Sequence, residues 1–150
     1  MGADPQELSD RQQITELCTR YASAVDARDF AGVANCFTRD GSLETALPPR
    51  TMRGREEIER VLATQTSTVL AAQHIVTNHA YTVDGDTGLG TSSFVMFRWP
   101  HAQERPGPPA AHGGAYFDRL ERTADGWKIK HRRIEILWGP GEFAGPGNAD

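Results

Sequence analysis

Apolar residues recur at three- and four-residue intervals from Ile14 through Leu17, Cys18 and Tyr21 to Val25. They share one helical face, so the spacing predicts a helix from about Asp10 to Asp26, capped by Ser9 or Asp10. Ala27–Asp29 breaks the pattern, and Asp29 can cap a short second helix over Phe30–Phe37. Asp40-Gly41 reads as a turn into a brief strand, Ser42–Thr45, followed by an irregular connection, Leu47–Met52, around Pro48-Pro49. Ile58, Val61 and Leu62 give one apolar side to a third helix, Arg55–Ala63.

From about Ala72 the period shortens to that of strands. The pattern predicts strands over Gln73–Val83, Gly90–Trp99, Gly114–Arg122 and Trp127–Leu137, with hairpin chemistry at Asp84-Gly85-Asp86 and Asp125-Gly126. The connection His101–Gly113 carries three prolines and is too long for a tight turn, so it is expected to be the most mobile internal segment. Gly and Pro after Trp138 predict a flexible tail, 139–150, behind a single domain, 1–138. Helices followed by antiparallel strands are an α+β pattern. A curved sheet around the long first helix would form a cone with a pocket at its open end.

Composition narrows the function. The 150 residues carry 20 acidic against 16 basic side chains, a net charge of −4, without a Lys/Arg run. That balance argues against a general nucleic-acid binder. No apolar run reaches membrane-spanning length and no secretory pattern opens the chain, so a cytoplasmic protein is expected. Cys18 and Cys36 both fall in apolar helical patterns and read as buried thiols. The five histidines show no paired metal-ligand spacing, and phosphate-loop, dinucleotide and nucleophile-elbow motifs are missing. Any enzyme here is expected to work without a cofactor or metal.

Three residues stand out for acid–base chemistry. Asp26 lies about 100° from the centre of the first helix's stripe, where a pocket wall could begin. Tyr21, within the stripe, could donate a hydrogen bond to a substrate carbonyl. His74 opens the longest strand, with Val76, Asn78 and Ala80 on its face; Ile75, Thr77, His79, Tyr81 and Val83 share the other. Neither face is cleanly apolar, so alternation alone leaves the cavity side open and sets His79 opposite His74.

The segments LCTRYASAVDARDFAGVANCFTRDG, MRGREEIERVL, HIVTNHAYTVDGDTG and GGAYFDRLERTADGWKIKHRRI resemble the SnoaL-like family of the NTF2-like superfamily, over roughly residues 8–137. The resemblance implies three N-terminal helices packed on a strongly curved, largely antiparallel sheet. Within the superfamily the chain resembles dehydratases of the scytalone and bile-acid 7α type. It implies that Tyr21, Asp26 and His74 are catalytic, and that Phe37, Phe97, Trp99, Tyr116, His131 and Arg133 contact a small hydrophobic, oxygenated substrate. Unlike scytalone dehydratase, the chain has no second histidine on the next strand. The expected reaction is dehydration through proton abstraction beside a carbonyl, with isomerisation or cyclisation from the same first step. A non-catalytic binding or assembly module is the alternative. Pairing through the outer sheet face makes a homodimer the expected assembly.

Overall fold

The computed structural model describes residues 4–67, 69–100 and 108–140. Helix α1 (Pro5–Asp26) starts before the apolar stripe does. Asp4 caps it, accepting from the Gln6 N–H at 3.1 Å, and Pro5 sits in the first turn, where a missing N–H costs nothing. Asp10 therefore lies inside the helix, not at its cap. It is 2% exposed and accepts from Arg122 Nη1 and Nη2 at 2.7 and 2.8 Å and from the Trp127 indole N–H at 3.0 Å.

Asp29 caps α2 (Phe30–Asn35) through the Gly32 N–H. That helix ends early because Phe37 opens β1 (Phe37–Ala46), far longer than the expected 42–45. The expected irregular connection contains a strand, β2 (Pro49–Arg53), paired antiparallel with β1. As the sheet's edge it tolerates Pro49, which has no N–H to give. Helix α3 (Arg55–Gln65) follows, then β3 (Val69–Asp84), β4 (Thr87–Pro100), β5 (Ala110–Thr123) and β6 (Gly126–Trp138). Residues 110–113, expected in a loop, extend β5 instead. Residues 101–107 and the tail from 141 lie outside the described residues.

The strands form one six-stranded sheet in the order β2-β1-β6-β5-β4-β3. The β1–β6 pair is parallel and the others antiparallel, so this α+β sheet is mixed, curved and unclosed. Ile14, Leu17, Cys18 and Tyr21 of α1 pack into a core with Leu43, Phe94, Tyr116 and Leu120 from the sheet's inner face. No helix among the described residues is long and apolar enough to cross a membrane.

Two bulges decide what faces that core. On β3, residues 77 to 80 oppose only 93 to 91 of β4, and Asn78 takes up the extra residue with a φ of +53°. Even positions (Ala72, His74, Val76) point inward before the bulge and odd positions (His79, Tyr81, Val83) after it. His74 and His79 thus share a face, contrary to uninterrupted alternation. On β6, Arg119 and Leu120 of β5 oppose His131 and Ile129, leaving Lys130 over. Trp127 and Ile129 point inward before it, and Arg132 is the buried residue after it.

Asp10 generates a pH prediction. The hydrogen bonds from Arg122 hold its carboxyl at about 2 against an ordinary 3.8, with Trp127 adding to the effect and burial opposing it. A depressed carboxylate stabilises the fold above its unfolded pKa and ceases to do so as pH falls through the folded one. Urea unfolding of the parent and Asp10→Asn should therefore differ by about 1–3 kcal/mol at pH 6. The gap should close between the ordinary value of 3.8 and about 2.

Candidate active site

A cavity of about 300 Å³ opens between the C-terminal end of α1, the start of β3 and the β1–β2 turn. Its walls are mainly apolar: Val25, Leu47, Leu62, Phe94, Met96, Ile134 and Ile136. That is the composition of a small-ligand pocket, at the lower end of the usual range of roughly 300–1,000 Å³.

Asp26 and His74 meet on its wall. Asp26 Oδ1 lies 2.5 Å from His74 Nδ1, and Oδ2 accepts the backbone N–H of the same residue at 2.7 Å. One carboxylate thereby fixes both the ring and the strand that carries it. With Nδ1 donating to Asp26, the basic nitrogen is Nε2, and the ring lines the cavity. The side chains keep 8% and 23% of their surface for His74 and Asp26 respectively, so the pair is sheltered but reachable. Arg28 secures the end of the helix. It holds a left-handed φ of +60°, and its guanidinium donates to the carbonyls of Thr66, at 2.8 Å, and Val69.

Rings continue from the imidazole into the core. Phe94 tilts against His74, stacks on Tyr116 at 4.5 Å between centroids, and Tyr116 meets Tyr21 edge-on at 5.8 Å. Burial pushes the Tyr21 phenol up to about 12, so it stays protonated as a hydrogen-bond donor. The Arg132 guanidinium is clamped between the two phenol rings, 4.3 Å from Tyr21 and 4.2 Å from Tyr116. Its Nε and Nη2 donate to the two Asp118 oxygens at 2.8 and 2.7 Å. Asp118 also accepts the Tyr81 hydroxyl at 2.9 Å, and that hydroxyl sits 3.2 Å from Cys18 Sγ. Arg132 and Asp118 have fully buried side chains, and Arg132 Nη1 finds no hydrogen-bond partner among the described residues. Among the described residues no three His, Cys, Asp or Glu side chains converge as metal ligands would.

The model of the SnoaL-like domain matches residues 6–133. The chain belongs to the SnoaL-like family. The uncharacterized protein Rv2910c of Mycobacterium tuberculosis is 31% identical over 134 residues, 86% of each chain. The structure of Rv3472, a protein of unknown function from the same species, superposes with a TM-score of 0.79 at 29% identity, covering 91% of this chain and 76% of that one. A Novosphingobium aromaticivorans protein described provisionally as a scytalone dehydratase shares the fold, with a TM-score of 0.80 at 20% identity over 95% and 97% of the two chains. The architecture is NTF2-like.

Within this SnoaL-like frame the expected site residues divide. Tyr21, Asp26, His74 and Tyr116 all line the cavity. Phe37 does not; it is fully buried behind Tyr21, edge-on at 6.1 Å. Phe97 and Trp99 alternate with the cavity residues Phe94, Met96 and Arg98, which sends them to the sheet's other face. His131 and Arg133 are displaced for a different reason. Continuing the alternation of Trp127 and Ile129 would bring them inward, but the bulge at Lys130 inverts it. His131 bonds Ser42 Oγ at 2.7 Å, while Arg133 lies over Phe117 and pairs with Glu135. Sequence reasoning missed Arg132 and Asp118. Their opposition across a hairpin could have signalled a cross-strand pair, had the bulge been visible.

The pair makes a stability prediction. Arg132→Met or Asp118→Leu alone leaves a buried charge without its partner and should cost about 3–5 kcal/mol. The double variant should cost far less than the two singles combined. A double-mutant cycle by urea unfolding reads this directly, and additivity would count against the coupling.

Proposed function

We propose that the protein is a cofactor-independent acid–base enzyme acting on a small, apolar, oxygenated molecule, with dehydration as its reaction. The observation behind this is the carboxylate–imidazole pair, Asp26 with His74 at 2.5 Å, set on the wall of an apolar cavity. Membership of the SnoaL-like family and the dehydratase-like structural neighbour agree with it.

In this mechanism His74 Nε2 takes the proton alpha to a carbonyl, and Asp26 fixes the tautomer and stabilises the imidazolium. Tyr21 donates to the carbonyl oxygen as charge gathers there. Collapse of the enolate expels the β-hydroxyl, which leaves as water with the proton returned by His74. Isomerisation and cyclisation would diverge only after the enolate. Two free, buried thiols suit a reducing compartment, and the cytoplasm is the proposed location.

Proton abstraction can be tested before the substrate is identified. Apolar β-hydroxy ketones and thioesters, incubated in heavy water, should exchange their α protons in the presence of the parent protein. His74→Ala should slow exchange by about 10²–10⁴-fold. It should stay folded, because residue 74 retains the backbone N–H that Asp26 accepts. Tyr21→Phe keeps the ring in the core and should lose rate with little change in melting temperature. Exchange by His74→Ala at the parent rate overturns the mechanism; binding of these compounds without exchange leaves a ligand-binding module.

The outer sheet face supports a homodimer as the assembly. Ile75, Val95, Gly113 and Trp138 line up in one row across four strands, with Ile75 50% and Trp138 48% exposed. Phe97 and Trp99 lie on the same face. Ile75→Glu should convert a dimer to a monomer in sedimentation velocity without changing the melting temperature by more than a few degrees.

A further inference from the structure

The charged groups on the cavity wall are unequally occupied. Asp26 is engaged by the ring and backbone of His74, and Arg28 spends its guanidinium on two backbone carbonyls. Arg98 lines the same cavity, and no hydrogen bond or ion pair engages its guanidinium among the described residues. Its neighbours across the ladder are both alanines, Ala72 on β3 and Ala110 on β5. Neither can neutralise it; Arg98 stands exposed at the cavity mouth, and its charge, after burial, helps hold the His112 imidazole toward its neutral form.

Its position relative to the chemistry follows from the register. His74 pairs with Met96 and Ala72 with Arg98, so Arg98 sits one inward position further along β4 than the residue facing His74. That step is about 6.8 Å along a strand, and an arginine side chain covers a similar reach. The cavity thus presents a base at one point, facing Met96, and one strand step away a planar cation without a hydrogen-bond or ion-pair partner among the described residues. A ligand with an anionic group would meet repulsion from Asp26 beside His74, and the other cation on this wall, Arg28, has its donors turned to the Thr66 and Val69 carbonyls. At Arg98 it finds a fork of donors matched to a carboxylate.

We propose that the cavity selects molecules with an apolar body and a carboxylate at one end, and that Arg98 is the residue that selects them. The inference rests on the acid–base reading only for which end of the ligand reacts. The selectivity itself is a binding property and holds whatever the reaction is. It narrows the substrate class to apolar oxo- or hydroxy-acids whose carboxylate lies away from the carbon that His74 addresses.

The probes are 2-naphthoate and 2-naphthamide, which share shape and ring system and differ in charge. Isothermal titration at neutral pH and low salt should show the parent binding naphthoate more tightly by about tenfold or more, the scale of one charge-assisted contact at a half-open site. Arg98→Gln should abolish that preference while leaving the naphthamide affinity within about twofold, and Arg98→Lys should restore part of it. Raising the salt should shrink the preference in the parent and leave it unchanged in Arg98→Gln. His74→Ala should keep the parent ratio, so a failed mechanism shows in turnover while a failed selectivity shows in the ratio. Equal binding of the two probes by the parent, no binding of either, or an Arg98→Gln variant that keeps the preference overturns the proposal.

Discussion

A fully buried guanidinium is tolerable only where charge, hydrogen bonds and packing are supplied together, and Arg132 collects all three. Asp118 neutralises it in a two-point contact, and the faces of Tyr21 and Tyr116 cover its flat sides. Tyr81 and Cys18 close the ring around Asp118 and the guanidinium edge. These partners come from α1, β3, β5 and β6, so the pair registers the helix against both halves of the sheet. Tyr21 and Tyr116 have one side on this cation and another on the cavity. The site's geometry and the core's polar centre are therefore one problem with one solution.

The second link between helix and sheet is lighter. Asp26 reaches from the end of α1 to His74, and the left-handed turn at Arg28 is fastened to the α3–β3 connection just beyond. One link sits deep and holds position; the other sits on the cavity wall and carries the proposed chemistry. Burial separates them: Arg132 has no exposed surface, whereas Asp26 keeps enough for a ligand to approach.

Much of this was legible from composition and period. The stripe from Ile14 to Val25 identified the core face of α1, and Tyr21, Asp26 and His74, singled out through the resemblance to the SnoaL-like family, all line the cavity. What failed to show was parity. A strand pattern predicts faces only while the count of residues is unbroken, and β3 and β6 are each interrupted mid-strand by an extra residue, at Asn78 and at Lys130. Asn78 gives a faint signal, since asparagine tolerates positive φ. Lys130 gives none, and so His131 and Arg133 took the place of Arg132. The early start of α1 had a plainer cause: Asp4-Pro5 is a good helix opening, but it precedes the apolar stripe by nine residues, counting from Pro5 to Ile14.

The bulge at Asn78 divides β3 into two lengths that answer to different masters. The N-terminal length keeps time with the cavity through His74, and the C-terminal length with the polar core through Tyr81. Removing one residue between them would leave each length intact and yet put one of them out of step. Substitution on either side of the bulge leaves both lengths in step, whereas shortening the strand there would turn either His74 or Tyr81 away from the face it now occupies.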